Sequence, residues 1–315
     1  MRVLVTGGAG FIGHHLVTEL LSKNIAVNIL DLAEQNGNSV KSLIQLGATY
    51  FQGDITDVNS IQTAIKGCDN IVHLAAQTSV QLSMSNPEHN NLVNINGTNN
   101  LIEIANQASI KKIIFASSAA VYGDSNKLPL VEQSAGICLS PYAQSKFQCE
   151  HDLLERSNSV VYSLRFFNVY GSGQNSESGY SAVIPAFIKS LMNHQKVTIY
   201  GDGNQTRDFI HVQDVVCLIT QLLRLEEMNE SGIYNVASQT ELSVNQLYSL
   251  ISNKLYSIDN KFVLSEPQYS KPREGDIHRS YADISKTNAA FGWRPEVNIE
   301  KGLESLIKFH LGLKQ

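Results

Sequence analysis

The 315-residue chain is 43% hydrophobic and 17% charged, enough apolar content for one large α/β core or two joined lobes and a poor fit to disorder. Its formal charge of -5 comes from 29 acidic and 24 basic residues scattered along the chain, with no basic run to track a nucleic-acid backbone, so an anionic substrate must be met by local groups. No apolar run approaches the ~18 residues of a membrane span, and Cys68, Cys138, Cys149 and Cys217 lack paired zinc-type spacing, which points to free thiols and no metal site.

Met1 leads straight into strand-like Arg2 to Val5, which leaves no room for a signal peptide, so the expected location is cytoplasmic. The first apolar run, Val3 to Val5, ends in Thr6-Gly7-Gly8-Ala9-Gly10-Phe11-Ile12-Gly13, which opens the first helix. Its glycines permit a tight turn and close backbone approach to a pyrophosphate, whose charge the helix N-terminal amides then face. The spacing is G-x-x-G-x-x-G, and a glycine turn alone marks any tight strand-to-helix connection. A second run, Val27 to Leu30, ends at Asp31, eighteen residues beyond Gly13, where a carboxylate can accept both adenosine ribose hydroxyls and repel a 2′-phosphate. Leu32-Ala33-Glu34 follows without an arginine, which favours NAD over NADP. Asp54, in Gly53-Asp54-Ile55, reads either as a turn or cap residue or as an adenine contact.

Asp57 can cap a helix from Val58 to Lys66 that Gly67 ends, and further runs at Ile71 to Leu74 and Ile113 to Phe115 complete a strand–helix alternation. That alternation predicts a doubly wound parallel sheet. Phe115 to Gly123 leaves a strand at its carboxyl end, the edge where such sheets bind ligands, and presents Ser118 there; turn hydrogen bonding is the ordinary alternative for a serine pair. Ser140-Pro141 can open a helix on which Tyr142 and Lys146 lie four apart on one face, where an ammonium can stabilise a phenolate. A tyrosine with its ordinary pKa of ~10 is too protonated to act as a base near neutrality. Lysine and the positive nicotinamide ring are both expected to lower it.

After about Asn168 the texture turns to Gly, Ser, Asn and Tyr, with helical patterns at Val183 to Leu191 and Ser243 to Leu255. The expected division is a cofactor-binding domain over 1–168 and a smaller mixed α/β lobe over 169–315. The apolar stretch Val212 to Leu225 and strand-like Ile233 to Ala237 have the character of the first half, so about 209–238 is expected to rejoin its sheet.

Taken together, the glycine motif, Ser118 with Tyr142 and Lys146, Asn94-Ile95-Asn96-Gly97-Thr98, Arg165 to Gly171, Gly201 to Ile210 and Arg273-Glu274-Gly275-Asp276 resemble the extended short-chain dehydrogenase/reductases. Within that family they resemble the nucleotide-sugar 4-epimerases, such as UDP-glucose and UDP-N-acetylglucosamine epimerases, over nearly the whole chain. The resemblance implies a Rossmann domain, an NAD cofactor, a UDP-sugar substrate and a homodimer built on the helices that begin near Asn94 and Tyr142. It implies that Ser118 hydrogen-bonds the sugar 4-hydroxyl, Tyr142 exchanges its proton, Lys146 holds the nicotinamide ribose and Asn94 supports the catalytic helix. On the cofactor side it adds Gly7, Gly10, Phe11, Ile12, Gly13, Asp31, Asp54 and Ile55, with Leu74, Ala75 and Ala76 after the fourth strand. On the substrate side it implies Asn168, Val183, Arg207, Arg273, Asp276 and Ser280.

Two guanidiniums suit a pyrophosphate through charge-assisted hydrogen bonds, although a salt bridge is the commoner fate of an arginine. Asn168 and Asp276, taken singly, read as capping or solvated groups. Ser280 stands seven residues after Arg273, where epimerases that reject N-acetylated sugars carry a bulky tyrosine, so its small side chain favours UDP-GlcNAc and UDP-GalNAc. The implied reaction inverts C4 through a transient 4-keto sugar that turns about its anchored diphosphate. A 4,6-dehydratase needs acidic residues just after the catalytic hydroxyl, where this chain has Ala119 and Ala120. A reductase shares the same trio. A non-catalytic NAD sensor is disfavoured by the presence of both Tyr142 and Lys146. His14, His15, His73 and Cys138 are assigned no chemistry.

Overall fold

Short apolar runs become strands because both faces of a parallel sheet are covered, so nearly every position is buried. The computed structural model describes residues 1–125, 127–174, 182–226, 230–262, 265–272 and 277–313. The strands are β1 (Arg2–Thr6), β2 (Ala26–Asp31), β3 (Thr49–Gln52), β4 (Asn70–His73), β5 (Lys112–Ser118), β6 (Val160–Phe166), β7 (Asn168–Tyr170), β8 (Thr198–Tyr200), β9 (Thr206–His211), β10 (Gly232–Val236), β11 (Glu241–Ser243) and β12 (Gln268–Ser270). Every residue of β4 is buried, and β1 is buried from Val3 onward.

The chain divides into two compact units. The first comprises Met1–Gly123, Glu132–Phe166 and Val215–Asn235. Its seven-stranded sheet has the order β10-β6-β5-β4-β1-β2-β3, with β1 to β6 joined in parallel pairs. This is the Rossmann-like doubly wound fold expected from the alternation, with β10 at its edge. Chain order runs outward from β1 in both directions, so the sheet reverses between β1 and β4, the place where such folds open a ligand crevice. The core between this sheet and its helices is aliphatic, centred on Leu4, Ile71, Leu101, Ile113 and Leu153.

Helix starts follow the expected side chains. Asp57 accepts from the amides of Asn59 and Ser60 at the head of Val58–Ala64, and Ser140 accepts from Ala143 ahead of Pro141–Arg156. Each such cap stabilises its helix by about 1 kcal/mol. The first of these helices stops at Ala64 instead of Lys66, because Cys68 N–H bonds back to Ile65 and Gly67 turns the chain with φ 72°.

The second unit comprises Asp124–Val131, Phe167–Asp214 and Val236–Gln315. It holds a mixed sheet of order β11-β9-β7 and the parallel pair β12-β8. Its own core packs the helices Val183–Met192, Val244–Ile258 and Ile299–His310 around Phe187, Leu247, Ile251 and Leu306. Ser243 and Gln246 cap the middle helix reciprocally. No helix among the described residues is long and apolar enough to cross a membrane.

Candidate active site

In the first unit the carboxyl ends of β1, β2, β4 and β5 carry the residues singled out from the sequence. Gly7 turns the chain with φ 71°, and a Cβ there would stand 2.7 Å from the Ala75 amide nitrogen. A Cβ on Gly13 would meet the Gly7 carbonyl at 2.2 Å, so helix and turn approach as only glycine allows. The helix Phe11–Ser22 starts with Gly10 at its N-cap and no side chain bonding its first-turn amides. Those amides, of Phe11, Ile12 and Gly13, are directed out of the helix end and suit an anion.

Asp31 ends β2 with its carboxylate accepting from Ala9 N–H at 2.9 Å and Ala33 N–H at 3.0 Å. It is thereby fixed against the glycine turn with lone pairs left for hydroxyl donors. A dinucleotide pyrophosphate and ribose fit these groups. Asp54 accepts from Thr56 N–H at 2.8 Å, which holds a local turn, while Ile55 is buried against Gly97. Leu74 and Ala75 bond back to Thr6, and Ala76 follows them, partly buried.

Ser118 ends β5, and its hydroxyl accepts from Ala120 N–H at 3.2 Å and lies near enough to the Tyr142 phenol to act on its proton. Lys146, one turn further along Pro141–Arg156, is buried, donates to the Ala116 carbonyl at 2.7 Å and lies 4.7 Å from the Phe115 ring centre. Burial pushes the Tyr142 phenol up, and the Ser118 hydroxyl opposes it. The lowering expected from Lys146 is not part of that balance. Burial also brings Lys146 down to about 8, with Cys149 and Glu150 acting the other way.

Asn94 sits in a single π turn, Leu92–Asn96, where every polar atom of its amide is used. Its amide nitrogen, with two N–H groups, faces three acceptors, Gln77 O at 3.1 Å, Asn90 Oδ1 at 3.1 Å and Ser145 Oγ at 3.0 Å, and its oxygen accepts from Gln77 N–H at 2.8 Å. It therefore ties the loop after β4 to the helix carrying Tyr142. Beneath that helix lies a charged cluster that the sequence reading passes over. Arg165 grips Glu150 with Nε–Oε1 2.8 Å and Nη2–Oε2 2.7 Å, and Ser117 Oγ donates to the same carboxylate at 2.5 Å. Arg165 also donates to Tyr122 Oη at 3.0 Å and the Glu132 carbonyl at 2.7 Å. These partners are far apart in sequence, and no local spacing marks them.

In the second unit, Asn168 on β7 donates to the Asp208 carbonyl at 3.1 Å. Arg207 on β9 donates to the carbonyls of Thr206 at 2.8 Å and Ile277 at 2.6 Å. Ile277 lines a cleft of about 1030 Å³ with Tyr200, Asn204, Gln205, Tyr269 and His278 among its walls. The sequence reading takes in the Gly201 to Ile210 stretch but not the two tyrosines or His278. Ser280 is buried, and Val183 is the first residue of its helix, partly buried on the core. Arg273 and Asp276, with Glu274 and Gly275, lie outside the described residues. Asp208 is fully buried, accepts from Ser238 N–H and Oγ–H at 2.7 Å each, and is pushed up to about 6 by burial.

A doubly wound sheet with a glycine turn, an acidic residue ending β2 and a Ser–Tyr–Lys set at β5 defines a dinucleotide-dependent enzyme class. Residues 3–237 match the model of the NAD dependent epimerase/dehydratase family, and the chain belongs to that family, whose cofactor is NAD. A Methanocaldococcus jannaschii protein named as a candidate UDP-glucose 4-epimerase is 38% identical over 98% of this chain and 97% of its own length. The solved UDP-N-acetylglucosamine 4-epimerase of Methanobrevibacter ruminantium M1, in complex with UDP-N-acetylmuramic acid, is 33% identical with a TM-score of 0.90, covering 99% of this chain and 98% of that one. The human dTDP-D-glucose 4,6-dehydratase is 32% identical over 98% of this chain and 89% of its own length.

Proposed function

We propose that the chain is an NAD-dependent 4-epimerase acting on a UDP-hexose or UDP-N-acetylhexosamine. The observation that carries this reading is Ser118 at the end of β5 beside the Tyr142 phenol, followed directly by Ala119 and Ala120 in the short turn after the strand. A dehydratase must remove water from the sugar with an acid and a base, and these two methyl side chains supply neither. Similarity to epimerases over nearly the whole chain supports the same reading.

Bound NAD supplies the oxidant for C4 and, once reduced, the reductant that restores it. Ser118 Oγ hydrogen-bonds the sugar 4-hydroxyl, and Tyr142, as the phenolate, takes up the proton of that hydroxyl and returns it when the ketone is reduced. Lys146 holds its ammonium against the Ala116 carbonyl and orients the nicotinamide ribose. Asn94 keeps the helix of Tyr142 in place. Asn168, Val183, Arg207 and Ser280, with Arg273 and Asp276, bind the UDP-sugar, and anchoring through the diphosphate lets the sugar turn without leaving. The protein acts as a cytoplasmic homodimer.

Purified protein incubated with UDP-GlcNAc and, separately, UDP-glucose, without added reductant, should form the matching 4-epimer in the anomeric proton spectrum. A 4-keto-6-deoxy product replaces this reading with the dehydratase; no change in either sugar refutes both substrates. Tyr142→Phe should retain NAD and UDP binding and lose nearly all turnover, and substantial residual epimerisation removes the proton-exchange role.

A further inference from the structure

His73 ends β4 opposite Thr6 at the end of β1, on the two strands between which the sheet order reverses. It is buried, as are Thr6, Thr98 and Asn94. Thr6 Oγ1 lies 2.7 Å from His73 Nδ1, and His73 Nε2 lies 3.0 Å from Thr98 Oγ1. Thr98, at the start of the helix Gly97–Gln107, spends its proton on the Asn94 carbonyl at 2.6 Å. A hydroxyl has one proton to give, so toward His73 it can only accept, and Nε2 must be the protonated nitrogen. Nδ1 is then the acceptor, and the Thr6 hydroxyl donates to it. Thr6 Oγ1 in turn accepts from Ala75 N–H at 3.3 Å, the amide against which Gly7 is packed. Every proton in the chain from Ala75 through Thr6, His73 and Thr98 to Asn94 thus points one way.

We propose that His73 is a positioning residue, whose ordered hydrogen bonds lock the glycine turn that receives the cofactor to the π turn that holds the Tyr142 helix. Burial and the Lys146 ammonium keep the imidazole neutral, with its pKa down to about 3, so the chain persists across the working range of pH. His73 also lies against the Phe115 ring, 5.6 Å between centres, on which Lys146 rests. The glycine turn is thereby coupled to the catalytic helix.

The two ring nitrogens can be replaced separately. An asparagine amide oxygen falls near the place of Nδ1 and keeps the acceptor for Thr6; a glutamine amide nitrogen falls near Nε2 and keeps the donor to Thr98. In the full-length protein, His73→Gln should bind NAD about tenfold more weakly by calorimetry, the loss of one bond and its ordered turn, while residues 92–98 keep their hydrogen-exchange protection. His73→Asn should do the reverse, with affinity retained and exchange at 92–98 accelerated. Equal effects of both variants on both readouts, or none, overturn the proposal. Nitrogen-15 NMR of histidine-labelled wild-type protein decides it independently: His73 should carry its proton on Nε2, and a proton on Nδ1 overturns it even where the variants do not fold. The binding arm rests on the NAD reading. Failure of the wild-type protein to bind NAD counts against that reading, whereas the tautomer and exchange arms still judge His73.

Discussion

Replacing Glu150 with Leu removes one half of an ion pair that is almost wholly out of water. Glu150 is 0% and Arg165 1% exposed, and they share two parallel bonds of 2.7 and 2.8 Å. In Glu150→Leu the guanidinium keeps only Tyr122 Oη and the Glu132 carbonyl among these bonds, neither of which neutralises it. An uncompensated buried charge of this kind costs about 3–5 kcal/mol, a hundredfold or more in the folding equilibrium. Changing Arg165→Met in the same protein removes the stranded charge, leaving about 1 kcal/mol each for the Ser117 and Tyr122 hydroxyls that lose a partner. The double variant should therefore be more stable than Glu150→Leu alone. Urea denaturation followed by far-ultraviolet circular dichroism reads both values from midpoint and slope. A single variant that loses under about 1 kcal/mol, or a double variant whose loss equals the sum of the two singles, refutes the reasoning. Because Ser117 precedes Ser118 and Glu150 lies one turn beyond Lys146, the same variants should also lose turnover in a folded fraction.

Asp208 is displaced upward from 3.8 to about 6 by burial, so the native state holds its proton more tightly than the unfolded chain does. Its contribution is full well below pH 4 and lost as pH rises through 6, so the stability of wild type relative to Asp208→Asn should fall by about 2 kcal/mol between pH 4 and 7; a constant difference refutes this. Gly7→Ala places a Cβ 2.7 Å from the Ala75 nitrogen at a positive φ, which costs about 1–2 kcal/mol in backbone conformation alone; NADH fluorescence titration should show binding lost in a folded protein, and retained affinity contradicts the packing argument. Ser280→Tyr overfills a buried position at about 1–3 kcal/mol and should remove activity on UDP-GlcNAc selectively, measured as kcat/KM beside UDP-glucose. Equal loss on both sugars refutes a pocket at Ser280.

The features legible in the sequence are those whose physics is local. Caps at Asp57 and Ser140, the glycine turn, and the carboxylate ending β2 each depend on residues within a turn or one strand–helix unit. The hydrogen bonds that organise the site join residues far apart: Thr6 and His73 are 67 apart, Asn94 and Ser145 51, Ser117 and Glu150 33. A histidine beside a strand has no periodic signature that tells an ordered bond from simple burial. The π turn is equally silent, since no local spacing in Leu92 to Asn96 marks the extra residue, which stands where Asn94 bonds to residues on both sides. Arg207 stood out as a cation, whereas the buried carboxylate next to it is recognisable only from Ser238 folding back onto it.

The charges at the Ser–Tyr–Lys set point to a division of labour between its members. Burial moves Tyr142 up and Lys146 down to about 8, in each case toward the neutral form. Lys146 is held by its bond to the Ala116 carbonyl and its seat on the Phe115 ring, which suits the orienting role proposed for it. The interaction that acts on Tyr142 in the acidifying direction is the Ser118 hydroxyl, which ends the same strand and is set by the turn through Ala120. In the proposed reaction, proton exchange at Tyr142 depends on how Ser118 is held, and Ser118 ends β5, where Ser117 is bonded to Glu150. The buried ion pair belongs to the same chain of cause as the phenol, two residues removed from it.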